Sequence, residues 1–387
     1  MNHKIKNKVI IWGKDGFNSL GLLRQLHDVA QVTFLLFDGS KWCAVKSRYC
    51  TSLLQTKSLK EGLDWLLNSF KEEEHKPFII PAGDLVAEFI DQNRGLLEPY
   101  FYLTGTTEPG LLTKVIDKNY MNQLASDCGF LIPKSIKCQW DTDVNKVKFP
   151  CIIKPDKNRL DHGKEFKTKI CNDEQELKQL LSTVSKKSCF VLQEYIPKQY
   201  DALVYGYRGR NGKMVTPGVL MKDRWGNENG GDGTHGYLTP SIPDSINIES
   251  IERFLSKIDY QGLFSVEFGI VDDKAYFYEF NLRNDGTSHY FYQAGVNVPY
   301  LWILDTIGVD QPGLPIELDG YHDFIAITED FFNVKIGKIS RKQWREDKKK
   351  ATVFRYYDKN DMKPYYYNKI VVALRPLRDA IRDMKKI

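Results

Sequence analysis

The chain has 387 residues, 42% of them hydrophobic, enough to bury a sizeable core and more than one domain usually holds. Fifty-five Lys and Arg against 50 Asp and Glu leave a net charge of +5, too small on a surface of this size to make nucleic acid a main partner. Seven scattered cysteines with no C-x-x-C pair argue against a zinc knuckle or disulfide framework and fit a reducing cytoplasm; no run nears the roughly 18 apolar residues of a membrane span.

The first segment, "NKVIIWGKDGFNSLGLLRQL", predicts a short apolar strand, a glycine turn and a helix with Leu20, Leu23 and Leu26 on one stripe, capped by Asn18 or Ser19. An apolar run of four before Gly13 is too short for a signal peptide. "VTFLLFD" and "PFIIPAGD" predict further strands, separated by a helix around "LDWLLNSF" and followed by one at "LVAEFIDQNRG". This alternation implies a doubly wound α/β domain with a parallel sheet. The spacing Gly13-x-x-Gly16 lacks the G-x-G-x-x-G dinucleotide fingerprint, so the turn reads as a tight strand-to-helix connection.

In "DKNYMNQLASDCGFLIP", Met121, Leu124, Ala125 and Cys128 fall at helical spacing, with Asp117 as N-cap and Gly129 past the end. Lys118 then occupies the first turn, where the helix dipole disfavours a cation. "KFPCIIKP" predicts a strand closed by Lys154, a charge that needs an anionic partner or an exit to solvent. A basic connection at 156 to 169, carrying Lys157, Arg159, His162, Lys164 and Lys167 but only Gly163, leads to the helix "NDEQELKQLLSTV" and the strand "CFVLQEYIP". The stretch "VLMKDRWGNENGGDGTHGYLTPSIPDS" is rich in Gly, Asn and Asp without a period and reads as a long loop. The basic run at 335 to 350 reads as a solvated helix face, and "ALRPLRDAIRDMKKI" as a basic amphipathic helix that packs on the body or meets a membrane or partner surface.

"GLFSVEFGIVDDKAYFYEFN" predicts two strands around a turn. An odd loop, Asp272 to Lys274, sets Glu267 opposite Glu279 on one face, with Asn281 beside them and Tyr278 and Phe280 packing on the other; an even loop separates the glutamates. Two opposed carboxylates repel and call for a cation between them. Two carboxylates and an amide are hard oxygen ligands of the type magnesium takes when a phosphate completes its shell. Arg283 suits a transferring phosphoryl group or a bound carboxylate. The plain alternative is a solvent-facing pair neutralised by nearby lysines, but Lys118 and Lys154, unexplained by folding, would both suit nucleotide phosphates.

In this order, the "DK" opening a helix, "FPCIIKP", "LQEYIP", a glutamate and, twelve residues on, E-x-N-x-R resemble the ATP-grasp ligases over roughly residues 1 to 310. The interval from Glu267 to "EFNLR" is that of biotin carboxylases, and "GKDGFNSLG" is similar to the start of carboxylate-amine ligases of the D-aspartate ligase type. The resemblance implies an N-terminal doubly wound α/β (pre-ATP-grasp) domain, 1–108, then a two-lobed ATP-grasp domain, 109–310, with lobes at about 109–192 and 193–310. Residues 311–387 would form a C-terminal extension packing on the body. It implies that Lys118 and Lys154 contact ATP phosphates, that Gln193, Glu194, Tyr195 and Ile196 hold adenine, and that Glu194 or Asp201 touches adenine or ribose. Glu267, Glu279 and Asn281 would bind Mg2+, with Mn2+ an alternative, and Arg283 would act on the reacting phosphoryl group, aided by Lys222 or Arg224. The implied reaction joins a small-molecule carboxylate to an amine such as an amino acid, through an acyl phosphate, releasing ADP and phosphate. A cell-envelope or surface-polysaccharide substrate and a homodimer are expectations from similar proteins. Alternatives are a carboxylase-like user of another acyl phosphate and a non-catalytic ATP-binding scaffold.

Overall fold

The structure, a computed structural model, describes residues 4–39, 42–139, 147–155, 168–184, 189–227, 230–310 and 313–384. Near the start of the chain, strands Lys8–Gly13, Gln31–Phe37, Leu53–Thr56, Phe78–Pro81 and Tyr102–Leu103 form a parallel sheet. Successive residues of its central strand bury to opposite sides, Val9 and Ile11 in one core and Ile10 and Trp12 in another. Both faces are therefore covered, as a parallel sheet requires. The helix after the glycine turn is Phe17–Leu26, and its N-cap is Gly16 rather than Asn18 or Ser19. Ser19 instead donates to the Lys14 carbonyl, 2.7 Å away, and Asn18 donates to the carbonyl of Asn284 at 2.8 Å, so both side chains serve tertiary contacts.

Strands Ser135–Gln139, Cys151–Pro155, Lys169–Cys171 and Cys189–Glu194 build a small antiparallel sheet whose inner face is packed by Leu177 and Leu180 of helix Glu174–Ser182. The largest sheet has the order Lys274–Asn281, Tyr260–Val271, Tyr200–Arg208, Val219–Asn227, Gly230–Thr239, His322–Ile325, Val353–Phe354. One of its faces packs Val204, Met221, Phe264 and Val266 against helices Lys118–Asp127 and Ile248–Lys257. Its other face packs Leu203, Tyr205 and Leu220 against helix Val298–Thr306 and through it against the first domain's sheet.

Two expectations change here. The Gly-rich stretch read as a loop forms most of two long paired strands, Val219–Asn227 and Gly230–Thr239. Its glycines are close-approach positions: a Cβ on Gly233 would strike the Lys222 stem at 2.3 Å, and one on Gly236 would lie 1.9 Å from the Met221 carbonyl oxygen. The periodic signal is erased because residues that let strands touch carry no side chain. The C-terminal region, read as an extension, supplies two strands to the largest sheet and adds helices Ile327–Lys335, Arg341–Lys350 and Met362–Met384.

The two ends of the chain meet at a buried ion pair. Arg24, 1% exposed, donates from Nε to Asp361 Oδ2 at 3.0 Å and from Nη2 to the carbonyls of Tyr356 and Asp361. Asp361 also accepts from Ser47 Oγ at 2.7 Å and the Arg48 N–H at 3.0 Å. Among the described residues no helix is long and apolar enough to cross a membrane.

Candidate active site

The carboxylate hairpin has the expected pairing by a different route. Val271 pairs directly with Lys274, so the turn is the two residues Asp272 and Asp273, both left-handed with φ of 46° and 56°. That is an even loop of the primed type that matches strand twist. On its own it would separate the two glutamates. A β-bulge intervenes: Phe268 pairs with Phe277 but Glu267 pairs with Glu279, leaving Tyr278 as the extra residue. The packing aromatics are consequently Phe277 and Phe280, 1% and 2% exposed, rather than Tyr278 and Phe280. Tyr278 lies instead over Gly269, where a Cβ would meet its hydroxyl at 2.0 Å.

Glu279 is open to solvent by area, yet it lies in a cleft crowded enough that burial pushes its carboxyl above the usual range. Lys118 and Arg283 oppose that rise, and Glu267 and Asp84 add to it. No described residue hydrogen-bonds its carboxylate. Glu267 has Lys222 Nζ at 3.4 Å from Oε2, and Lys222 is itself buried. Asn281 donates to Ser265 Oγ at 3.1 Å, and its Oδ1 accepts from Arg283 Nη2 at 2.9 Å. Arg283 is held by Asp84 at the start of helix Asp84–Gln92, with Nε to Oδ1 at 2.7 Å and Nη2 to Oδ2 at 3.4 Å. Its Nη1 donates to the Asn284 carbonyl at 3.1 Å and lies 3.6 Å from Asp285. The first domain thus closes one wall of the cleft.

Across the cleft stand the two lysines. Asp117 caps its helix by accepting from the N–H groups of Asn119 and Tyr120, which fixes Lys118 at the first turn. Lys154 leaves its strand beside Gln193, donating to Oε1 at 2.7 Å. Burial, joined by the charges of Lys118 and Lys198 and opposed by Glu279, pushes the Lys154 ammonium down to about 8. Lys118, Lys154 and Glu279 are therefore close enough to feel one another's charge.

Gln193 is buried, Glu194 exposed at the end of its strand, Tyr195 half-buried and Ile196 buried, forming the segment that leads from the small sheet to the large one. Asp201 receives Lys198 Nζ at 2.6 and 2.7 Å and the Trp225 indole N–H. Arg224 points elsewhere: it is paired with Asp330 at 3.0 and 2.9 Å and with Asp347 at 2.8 Å, carboxylates of the C-terminal region. The basic connection 156–167 lies outside the described residues. Reading the sequence motif by motif missed Asn284 and Asp285. Asn284, wholly buried, accepts from Tyr205 Oη at 2.7 Å, and Asp285 sits against Asn281 and Arg283. Both directly follow "EFNLR", so continuing past that motif would have found them.

The donor set suits a hard divalent ion. Two facing carboxylates, one without any described hydrogen-bond partner, leave negative charge that Lys222 offsets only in part. Among the described residues no group of three or more His, Cys, Asp or Glu could hold a metal alone. Any ion here would take oxygen from an amide and a phosphate as well.

Residues 124–296 match the family model described as the ATP-grasp domain. A search of curated protein sequences found no match. Among solved structures, the chain is similar to N5-carboxyaminoimidazole synthetase from Staphylococcus aureus complexed with ADP, at 15% identity, 87% of each chain covered and a TM-score of 0.63. It is also similar to L-amino acid ligase from Bacillus licheniformis, at 11% identity with 83% of this chain and 80% of that one covered and a TM-score of 0.62. Biotin carboxylase from Campylobacter jejuni, complexed with beta-gamma-ATP, aligns at 14% identity over 81% of this chain and 74% of that one, with a TM-score of 0.59. The match to the ATP-grasp domain model thus covers the central part of the chain, and the fold of the chain is that of these solved structures.

Proposed function

We propose that the protein is an ATP-dependent carboxylate-amine ligase that forms an amide through an acyl phosphate and releases ADP and phosphate. The observation that carries this reading is the pairing of Glu267 with Glu279, facing two lysines and adjoining an arginine that the first domain orients. Lys118 and Lys154 would hold the phosphates of ATP, and the backbone of Gln193 to Ile196 the adenine, with Glu194 or Asp201 adding a polar contact. Glu267, Glu279 and Asn281 would hold Mg2+ or Mn2+, which when bound neutralises the phosphate charge and polarises the transferring group. Arg283 stabilises negative charge at the reacting carboxylate and phosphoryl oxygens; its guanidinium is pre-oriented by Asp84, so little reorganisation accompanies the transfer. Lys222 screens Glu267 and reaches the same face. Arg224, saturated by two carboxylates, serves the fold. No nucleophilic side chain is needed, since the acyl phosphate is the activated intermediate and the amine attacks it directly.

The narrower part of the proposal is a D-aspartate ligase type of chemistry, adding an amino acid to a cell-envelope or surface-polysaccharide substrate in the cytoplasm, on a homodimer with domains at 1–108, 109–310 and 311–387. It rests on "GKDGFNSLG" at the cleft wall. A second reading, a carboxylase-like acyl phosphate, is favoured by the similarity to the carboxyaminoimidazole synthetase and biotin carboxylase structures. Incubation with magnesium-ATP and pools of amino acids and carboxylates, with and without bicarbonate, separates them. Amine-dependent ADP release without bicarbonate supports amide formation, and strict bicarbonate dependence supports the second reading. AMP and pyrophosphate would remove both, and ATP binding with no stimulated turnover from any pool would point to a scaffold.

A further inference from the structure

Helix Met362–Met384 is anchored at its base and then presents an exposed stripe up to Leu374. Tyr365 is 9% exposed and Asn368 is fully buried, donating from Nδ2 to Glu329 Oε1 at 3.0 Å. Between Lys369 and Leu374 no residue is buried, although Ile370 to Leu374 reads Ile-Val-Val-Ala-Leu. Tyr366, Ile370 and Leu374 are 55%, 57% and 54% exposed at four-residue intervals, so they form one stripe along the helix. An exposed apolar stripe of this kind costs solubility, and none of the described residues buries Tyr366, Ile370 or Leu374.

The charge that this part of the sequence carries is equally one-sided. From Met362 to the end the sequence has seven Lys and Arg against two Asp, a net charge of +5 that equals that of the whole chain. The preceding 361 residues are therefore balanced, and all of the excess is gathered on this one segment. A second copy of the helix is a poor cover, because packing two such segments together would bring two net charges of +5 within a few ångströms to tens of ångströms of each other. Nucleic acid would use the charge but not the apolar stripe.

We infer that this helix docks the protein on an anionic lipid surface, lying in the interface with Tyr366, Ile370 and Leu374 in the acyl boundary and its cations among the headgroups. Both halves of such binding are present: buried apolar area, and attraction of Lys and Arg to anionic lipid. Tyrosine is among the side chains that prefer the interface itself. The helix extends about 35 Å at 1.5 Å per residue, long enough to lay its stripe along a surface. Binding of this kind is peripheral and reversible, and it is independent of the ATP site.

The test is co-sedimentation of the full chain with vesicles, comparing neutral phosphatidylcholine with the same lipid containing about 30 mol% phosphatidylglycerol. The expected result is sedimentation with the anionic vesicles only, weakening as salt rises. The double substitution Ile370→Asp, Leu374→Asp should lower the partition coefficient about ten-fold or more while leaving circular dichroism and the thermal transition unchanged. Lack of sedimentation with anionic vesicles, equal sedimentation with neutral ones, or an undiminished double variant would each overturn the inference. So would a dimer in light scattering that the same substitutions dissociate, since the stripe would then be covered by a second copy.

Discussion

Two clusters of buried charge in this protein look alike in outline and differ in sign. Around Arg224, burial works against the cation, but Asp330 and Asp347 more than offset it, and the guanidinium is held in its charged form. Thr234 and Asn333 complete the cage by donating to Asp330 at 2.8 and 3.1 Å. Around Lys154, burial also opposes the cation, and its surroundings make matters worse, since Lys118 and Lys198 repel it. The first cluster is closed and satisfied without a ligand. The second keeps Lys154 on one side of a cleft and Glu279 on the other, both in charged states that burial disfavours. Buried charge by itself therefore does not mark a reaction site; charge left uncompensated and facing solvent does.

The comparison can be broken by substitution. The largest effect is expected for Glu279→Gln, which keeps the shape but removes the charge proposed to hold the metal: turnover should fall about 1,000-fold or more, some 4 kcal/mol of transition-state stabilisation. Thermal stability should hardly change, because no described residue bonds that carboxylate. Unchanged turnover would take Glu279 out of the site.

Arg224→Met should do the reverse. Leaving Asp330 and Asp347 buried without their cation should cost about 3–5 kcal/mol in denaturant unfolding. Under conditions where the variant remains folded, kcat should stay near wild type; a selective loss of kcat would return Arg224 to the reaction. A smaller effect follows from the Lys154 ammonium lying near 8. ATP binding needs the charged form, so affinity should be highest below pH 8 and weaken by up to about ten-fold per unit above it, until the pKa of the bound state is reached. Calorimetric titration with ATP across pH 6.5 to 9.5 reads this, and a flat profile would deny Lys154 a phosphate. The smallest effect is that of Asp117→Ala. Loss of the cap should cost about 1 kcal/mol of stability and raise the KM for ATP modestly through a less fixed Lys118.

The order of motifs and the local signals were legible in the sequence. The Asp117 cap, the Gly129 terminus with its left-handed φ of 93°, and the strand closed by Lys154 all stand where spacing puts them. The pairing of Glu267 with Glu279 was legible too, though not its cause. Loop parity assumes that a ladder stays regular, and here an even turn and a one-residue bulge cancel. Nothing in the side chains of "FYEF" announces the extra residue. What stayed hidden depends on partners far along the chain. Arg224 looked like a free cation because its carboxylates lie 106 and 123 residues away, and the Gly-rich strands looked like a loop because glycine carries no period.

Arg24 and Asp361 are 337 residues apart in the chain, and each is the other's closest opposite charge in the core they share. During synthesis the helix carrying Arg24 emerges among the first elements, yet its buried guanidinium has no counter-ion until nearly the whole chain has been made, some tens of seconds later at ordinary elongation rates. The first domain is first in sequence but among the last parts to be completed. Pairing of the buried Arg24 with Asp361 therefore has to follow synthesis through residue 361.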